Sequence, residues 1–229
     1  RFRLSKEIGD TEIEADANYS LGIHYGYHSD LDLSQLYLKK ALDIYMQSGN
    51  EIKAFESLWN IAYFELLLGN MDTAYTAYQK VVTIAEQLND SLAYAQAISN
   101  IAAVQYQRDD IEGSIESFLI SKAYYNALHD TAALAEVDMN LATVYGECGR
   151  INEARELFVS VIPMLEALRN YDFLLLAYKN YGLLFTRDMI NYDSANYYFV
   201  KALAVTEMEG VSRQDRQTMA NTKADVLIS

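Results

Sequence analysis

His24 and His28 stand four residues apart, a spacing that on a helix can set two imidazoles on one metal ion. The run between them, Tyr25-Gly26-Tyr27, lacks the glutamate of a zinc-protease helix. Asp30 and Asp32, the nearest oxygens, fall in a turn. Too few ligands are in sight, so packed or solvent-facing histidines are expected and no metal. His129 lies in a turn without a partner nearby in sequence. Cys148, the single cysteine, excludes an internal disulfide framework and a cysteine metal site. No His or basic activator stands beside it, so it reads as a quiet thiol. Carboxylates are abundant, but no pair is singled out for acid–base work. Neither a glycine-rich phosphate loop nor a nucleophile elbow is present. Catalysis is not expected, and no cofactor is implied.

The elements that carry these side chains follow from composition and period. The 229 residues include 18 Lys plus Arg against 32 Asp plus Glu, a net charge of −14. At 51% hydrophobic the chain can build a core. One proline and 10 glycines leave little material for the turns of an all-β fold. No apolar run approaches the ~20 residues of a membrane span. The acidity argues against a nucleic-acid surface, which needs clustered Lys and Arg. The chain opens on Arg1 rather than Met and shows no signal-peptide pattern through Ile8. It reads as a soluble piece of a longer protein, with cytoplasm and periplasm both open.

A 40-residue period runs along the chain. Asp10, Asn50, Asp90, Asp130 and Asn170 each precede an amphipathic run and read as helix N-caps. Ten residues on, Ser20, Asn60, Asn100, Asn140 and Asn180 share one phase. A large residue follows (Leu21, Ile61, Ile101, Leu141, Tyr181), then a very small one (Gly22, Ala62, Ala102, Ala142, Gly182). The small residue suits a helix that lets a neighbour approach closely. A later register places small before large: Ser34 and Leu38, Ala74 and Tyr78, Ser114 and Phe118, Ala154 and Phe158, Ala195 and Phe199. The last pair comes one residue late, which puts an extra residue in the turn near Met189 to Asn191. Turn residues separate the halves at Ser29-Asp30, Gly69-Asn70, Asp109-Asp110 and Gly149-Arg150. Each unit is thus a hairpin of two helices of roughly 17 residues, about 25 Å long. Pro163 falls inside a second helix and should kink it. The units are 11–50, 51–90, 91–130, 131–170 and 171–210, with 1–10 as the tail of a preceding helix. Residues 211–229, with Arg213, Arg216 and Lys223, read as a capping or partial-repeat helix.

These registers resemble the tetratricopeptide repeat, whose first helix carries a large-small pair and whose second carries small-x-x-x-aromatic. Ile61-Ala62 with Ala74 and Tyr78, and Leu141-Ala142 with Ala154 and Phe158, carry the likeness. The period here exceeds the family's ~34 residues, which resembles the long-repeat variants of bacterial sensors and regulators. The family's terminal proline is missing, and Asp, Asn and Gly set the junctions instead. The resemblance implies one all-α, right-handed superhelical solenoid whose first helices line a concave face.

On that geometry the groove stripe runs at i, i+4, i+7 and i+11 of each first helix. It comprises Asp16, Ser20, Ile23 and Tyr27; Glu56, Asn60, Tyr63 and Leu67; Gln96, Asn100, Ala103 and Gln107; Glu136, Asn140, Thr143 and Glu147; and Leu176, Asn180, Leu183 and Arg187. An Asn amide both donates and accepts, so Asn60, Asn100, Asn140 and Asn180 can form a ladder along a peptide backbone. The alternative is that these amides only satisfy local groups. Asp16, Glu56, Glu136 and Glu147 bias the stripe towards acid, while Tyr19, Trp59 and Tyr63 offer apolar contact at one end. A partner with basic and apolar side chains would fit. The family's carboxylate-clamp adaptors need clustered Lys and Arg here, and the candidates are only Lys179 and Arg187. Most of the 19 tyrosines, Tyr75, Tyr78 and Tyr198 among them, fit packing. The function expected is non-catalytic recognition of a protein or peptide, as the sensor segment of a larger bacterial signalling or transcription-regulatory protein. The alternative is a passive scaffold for assembly or homodimer formation.

Overall fold

The computed structural model describes residues 2–28 and 30–207, and within 2–10 the backbone. Among the described residues there are ten helices and no strand. They are α1 (Phe2–Tyr27), α2 (Leu31–Ser48), α3 (Glu51–Leu67), α4 (Met71–Leu88), α5 (Ser91–Gln107), α6 (Ile111–Leu128), α7 (Thr131–Glu147), α8 (Ile151–Leu168), α9 (Tyr171–Arg187) and α10 (Tyr192–Thr206). None of them is long and apolar enough to cross a membrane.

The same stop-and-start device repeats between hairpins. The second helix ends on a left-handed residue, Gly49, Asn89, His129 or Arg169, at φ 74°, 53°, 56° and 54°. The next residue caps the following first helix. The side chains of Asn50, Asp90, Asp130 and Asn170 accept from the backbone N–H of Lys53, Ala93, Ala133 and Phe173 at 3.2, 2.9, 3.0 and 3.4 Å. His129 therefore serves as a helix terminator. Inside the hairpins Gly69, Asp109, Gly149 and Ile190 take positive φ. Ile190 falls one residue past the 40-residue step, and α10 starts late in consequence.

Asp10 is the exception and corrects the expectation for the first ten residues. α1 runs from Phe2 through Asp10 to Tyr27 without a break, so no separate preceding helix ends there. A glycine such as Gly9 costs only about 1 kcal/mol inside a helix, which continued i→i−4 bonding across Asp10 outweighs. The expected capping helix at 211–229 lies outside the described residues.

The chain divides into two compact units, Arg1–Ser121 and Lys122–Ser229. In the first, Leu58, Ala62, Tyr78, Val81, Ile101 and Val104 from α3, α4 and α5 form one core cluster. Leu38, Ile61 and Phe64 join α2 to α3 in another. In the second, Phe158 stacks on Tyr181 at 5.1 Å, and Tyr198 packs on Tyr181 and Phe185 at 4.6 and 5.6 Å. The small-then-large register is the core: all ten of its residues are 5% exposed or less. The small position after the large residue is sterically required. A Cβ on Gly22 would come 2.6 Å from Leu38 Cγ, and one on Gly182 would come 2.8 Å from Phe199 Cε1.

Polar staples add to this packing. Gln35 Nε2 donates to the Ile61 carbonyl at 3.0 Å, and the Ser121 hydroxyl donates to the Ala95 carbonyl at 2.8 Å. The buried carboxylates Glu65 and Asp138 each hold a lysine, Lys39 at 3.1 Å and Lys122 at 2.6 Å. Pairing is what makes burial of those charges tolerable.

Candidate functional site

A helix turns about 100° per residue, so positions i, i+4, i+7 and i+11 share a face. Each of the twenty stripe residues is exposed or half-buried. The neighbouring positions Ile61, Ala62, Ile101, Ala102, Leu141, Ala142 and Tyr181 are all at most 6% exposed. The stripe therefore lies on the open side of each of these first helices, α3 and α5 in the first unit and α7 and α9 in the second, set by the core register one residue on. Leu21 in α1 departs from that register and is 40% exposed.

Within each unit, successive first helices bring their stripes into contact. Asn60 Nδ2 donates to the Tyr19 hydroxyl at 3.2 Å and to the Glu56 carbonyl at 2.8 Å. Asn180 Nδ2 donates to Thr143 Oγ1 at 3.0 Å, and Thr143 Oγ1 in turn donates to the Met139 carbonyl. Arg187 reaches the Gly146 carbonyl at 2.5 Å and Asp188 at 2.8 Å. Asn100 and Asn140, both half-buried, make no side-chain hydrogen bond among the described residues. So two of the four amides spend donors between helices, and two keep all of them.

The acidic residues are held rather than loose. Glu56 bridges to Lys53 at 2.9 Å, and Lys53 lies 5.5 Å from the centre of the Tyr19 ring. Asp16 accepts from the Tyr45 hydroxyl at 2.5 Å, and burial followed by that bond pushes the Tyr45 phenol well above its ordinary range. Glu136 accepts from Asn170 Nδ2 at 3.1 Å. Burial raises the Glu136 carboxyl, the Asn170 bond partly offsets this, and nearby Asp130 adds to it. Gln96 and Gln107 are exposed on α5, and Tyr63 is 41% exposed. Trp59 is half-buried, packs against the Leu58–Tyr78 cluster, and meets Tyr78 edge-on at 6.0 Å.

The stripe of α7 and α9 encloses a small recess of about 50 Å³, walled by Thr143, Gly146, Phe158, Asn180 and Arg187. It holds a side-chain tip, not a whole ligand. Arg187 already satisfies Asp188 and Gly146, and Lys179 sits half-buried beside Asn180, so no carboxylate clamp is assembled there. His24 and His28 stack at 4.2 Å, with His28 Nδ1 at 2.8 Å from the His24 carbonyl. Among the described residues no third ligand-type side chain gathers around them. Cys148 is exposed at the end of α7, its thiol directed to the Tyr145 carbonyl.

By sequence Thr143 falls on the stripe and Tyr19 beside it, but the bonds they make to the amides are not evident there, and Lys53 and Asn170 have no part in the stripe. A signal for them exists: Tyr19 and Asn60 are 41 residues apart, Thr143 and Asn180 37, and Glu136 and Asn170 34. Polar pairs offset by about one period mark adjacent first helices.

Residues 54–119 and 139–173 match models of the tetratricopeptide repeat. The chain carries tetratricopeptide repeats in an all-α helical repeat fold. Three solved structures with this fold illustrate its settings. Aspartyl phosphate phosphatase F from Bacillus subtilis is 17% identical with a TM-score of 0.62, over 88% of this chain and 62% of that one. A STAND signal-transduction ATPase with a tetratricopeptide-repeat sensor, from Pyrococcus horikoshii, is 15% identical with a TM-score of 0.73, over 94% and 36%. The Rap conjugation gene regulator of plasmid pLS20, in complex with the Phr* peptide, is 16% identical with a TM-score of 0.65, over 94% and 64%. This chain spans less than two thirds of each of those chains, and at such identities the likeness is one of fold. No curated protein matches the sequence.

Proposed function

We propose that the first-helix stripe is a peptide- or protein-recognition surface, and that the chain is the sensor or interaction segment of a larger bacterial signalling or regulatory protein. The observation that carries this is the state of the amides. Asn100 and Asn140 stand at the register where Asn60 and Asn180 bridge helices, yet they keep their donors and acceptors unspent. A half-buried amide without a protein partner is a poised two-way contact for a peptide backbone. The acidic groups Asp16, Glu56 and Glu136 beside the amides favour Lys or Arg on the ligand, and Tyr63 and Leu67 offer an apolar landing. The pLS20 regulator, whose structure holds a peptide, supports the reading by likeness of fold. Recognition, not catalysis, is the role of this surface.

The test is a library of short peptides carrying basic and aromatic residues, screened against the chain and its Asn100→Ala, Asn140→Ala double variant. The expected result is at least a tenfold loss of affinity, about 1.4 kcal/mol, with helicity and melting unchanged. Equal binding by both proteins overturns the proposal.

A second reading, assembly through an outer face, is favoured by one feature. Tyr192, Tyr197 and Val200 on α10 are 69%, 55% and 56% exposed. Sedimentation equilibrium decides it: association weakened by Tyr197→Ser and Val200→Ser supports a scaffold, and a monomer at all concentrations dismisses it.

A further inference from the structure

A hollow larger than that recess lies away from the stripe. Between α2 and α4, over the start of α3, is a cavity of about 650 Å³, within the ~300–1,000 Å³ range of small-molecule sites. Its floor is Ala54 and Leu58, and its walls are Leu42 and Met46 on one side and Ile84 and Leu88 on the other. One position of the floor is small. Ala54 is the fourth residue of α3, and the fourth residues of α5, α7 and α9 are Tyr94, Leu134 and Leu174, each at least half-buried.

Two charged side chains reach the rim, Lys80 and Glu51. Glu51 lies in the first turn of α3, where the helix dipole complements its charge. Lys80 has no ion pair, hydrogen bond or ring contact among the described residues. Glu51 has no ion pair among the described residues either, so in a chain of net charge −14 Lys80 is the charge at this rim that an anion would neutralise. Met46 and Leu88 at the same rim are 67% and 44% exposed, apolar surface that an apolar ligand would cover.

We propose that this cavity binds one small amphipathic anion, its apolar body on Leu42, Ala54, Leu58 and Ile84 and its acidic head at Lys80. The site is separate from the peptide surface, and neither proposal depends on the other.

Dodecanoate below its micelle concentration is the probe. Dodecyltrimethylammonium is the control of opposite charge. The fluorescence of Trp59, the single tryptophan, reports occupancy because it neighbours Leu58 and packs on the same cluster. The expected result is saturable binding of one dodecanoate per chain, about tenfold tighter than the cationic detergent. Ala54→Leu copies the residue of the fourth and fifth repeats, and should abolish binding with the melting temperature held or raised. Lys80→Gln lies on the surface, cannot disturb the fold, and should weaken dodecanoate about threefold while leaving dodecanol unaffected. Should Ala54→Leu unfold, Lys80→Gln decides alone. The proposal is overturned if wild-type protein shows no saturable binding, if the cation binds as tightly, if folded Ala54→Leu binds normally, or if Lys80→Gln changes nothing.

Discussion

The recess beside Asn180 and the hollow beside Ala54 are made by the same repeat, and they differ about thirteenfold in size, about 50 against 650 Å³. The first is polar at its mouth, with Thr143, Asn180 and Arg187, and Phe158 closes its base. The second is mainly apolar, with Lys80 and Glu51 at its rim and Thr83 and Gln87 on the α4 side. Side chains of different size line them: Phe158, 1% exposed, borders the first, and Ala54, 8% exposed, borders the second. A repeat fold can thus offer an extended polar surface and an enclosed apolar site at once, by varying size at fixed registers.

The contrast can be broken from the Phe158 side. Phe158→Ala should open the small recess and cost about 3–5 kcal/mol, since it removes a fully buried ring that stacks on Tyr181. Urea unfolding measures it, and a loss below about 1 kcal/mol would show that the stack does not hold the second unit together. A smaller effect of opposite sign is expected at the turn beyond the recess. Ile190 is β-branched at φ 47°, in the register that Gly69 and Gly149 occupy. Ile190→Gly should stabilise by about 1 kcal/mol, read as a rise in melting temperature, and sharpens the comparison by relieving strain without touching Arg187 or Asn180.

The smallest effect concerns charge on the stripe. The folded-state proton affinity of Glu136 is raised, chiefly by burial. A raised carboxyl favours the folded state while protonated, at pH below the ordinary glutamate range, and loses that contribution as pH rises through its folded value. Glu136→Gln should therefore raise stability near neutrality by less than about 1 kcal/mol, with the gain disappearing in acid. Melting curves of both proteins across pH test this, and a destabilised variant at neutral pH would contradict it.

Much of the fold was legible because its signals are local. Asn50, Asp90, Asp130 and Asn170 announce helix starts through side chains that bond three residues on. The alternation of Ala154 with Phe158 announces a buried face within a single helix. The late step at Ala195 announced the longer turn around Ile190. Asp10 misled because a cap residue sets a helix start only where the preceding chain turns, and α1 does not turn there. The stripe was legible as a face, since helical period alone sets it. What separates Asn60 from Asn100 was not, because it depends on Tyr19 in the neighbouring helix, 41 residues away. Nor was the hollow: an alanine at position 54 reads as one more core residue, and the space beside it depends on how α2, α3 and α4 meet. Trp59 likewise read as a contact surface, and its packing on Tyr78 depends on how α3 meets α4.

The central claim is that the open face of the first helices does the binding. Nitrogen-15 spectra of the asparagine side-chain amides, recorded while a peptide selected from the basic-aromatic library is titrated in, test it most directly. The account predicts large shifts at the Asn100 and Asn140 amides, smaller ones at Asn60 and Asn180, whose donors are already engaged, and none at Asn126 on α6 or Asn89 just past the end of α4. Unmoved Asn100 and Asn140 signals alongside saturable binding would contradict it.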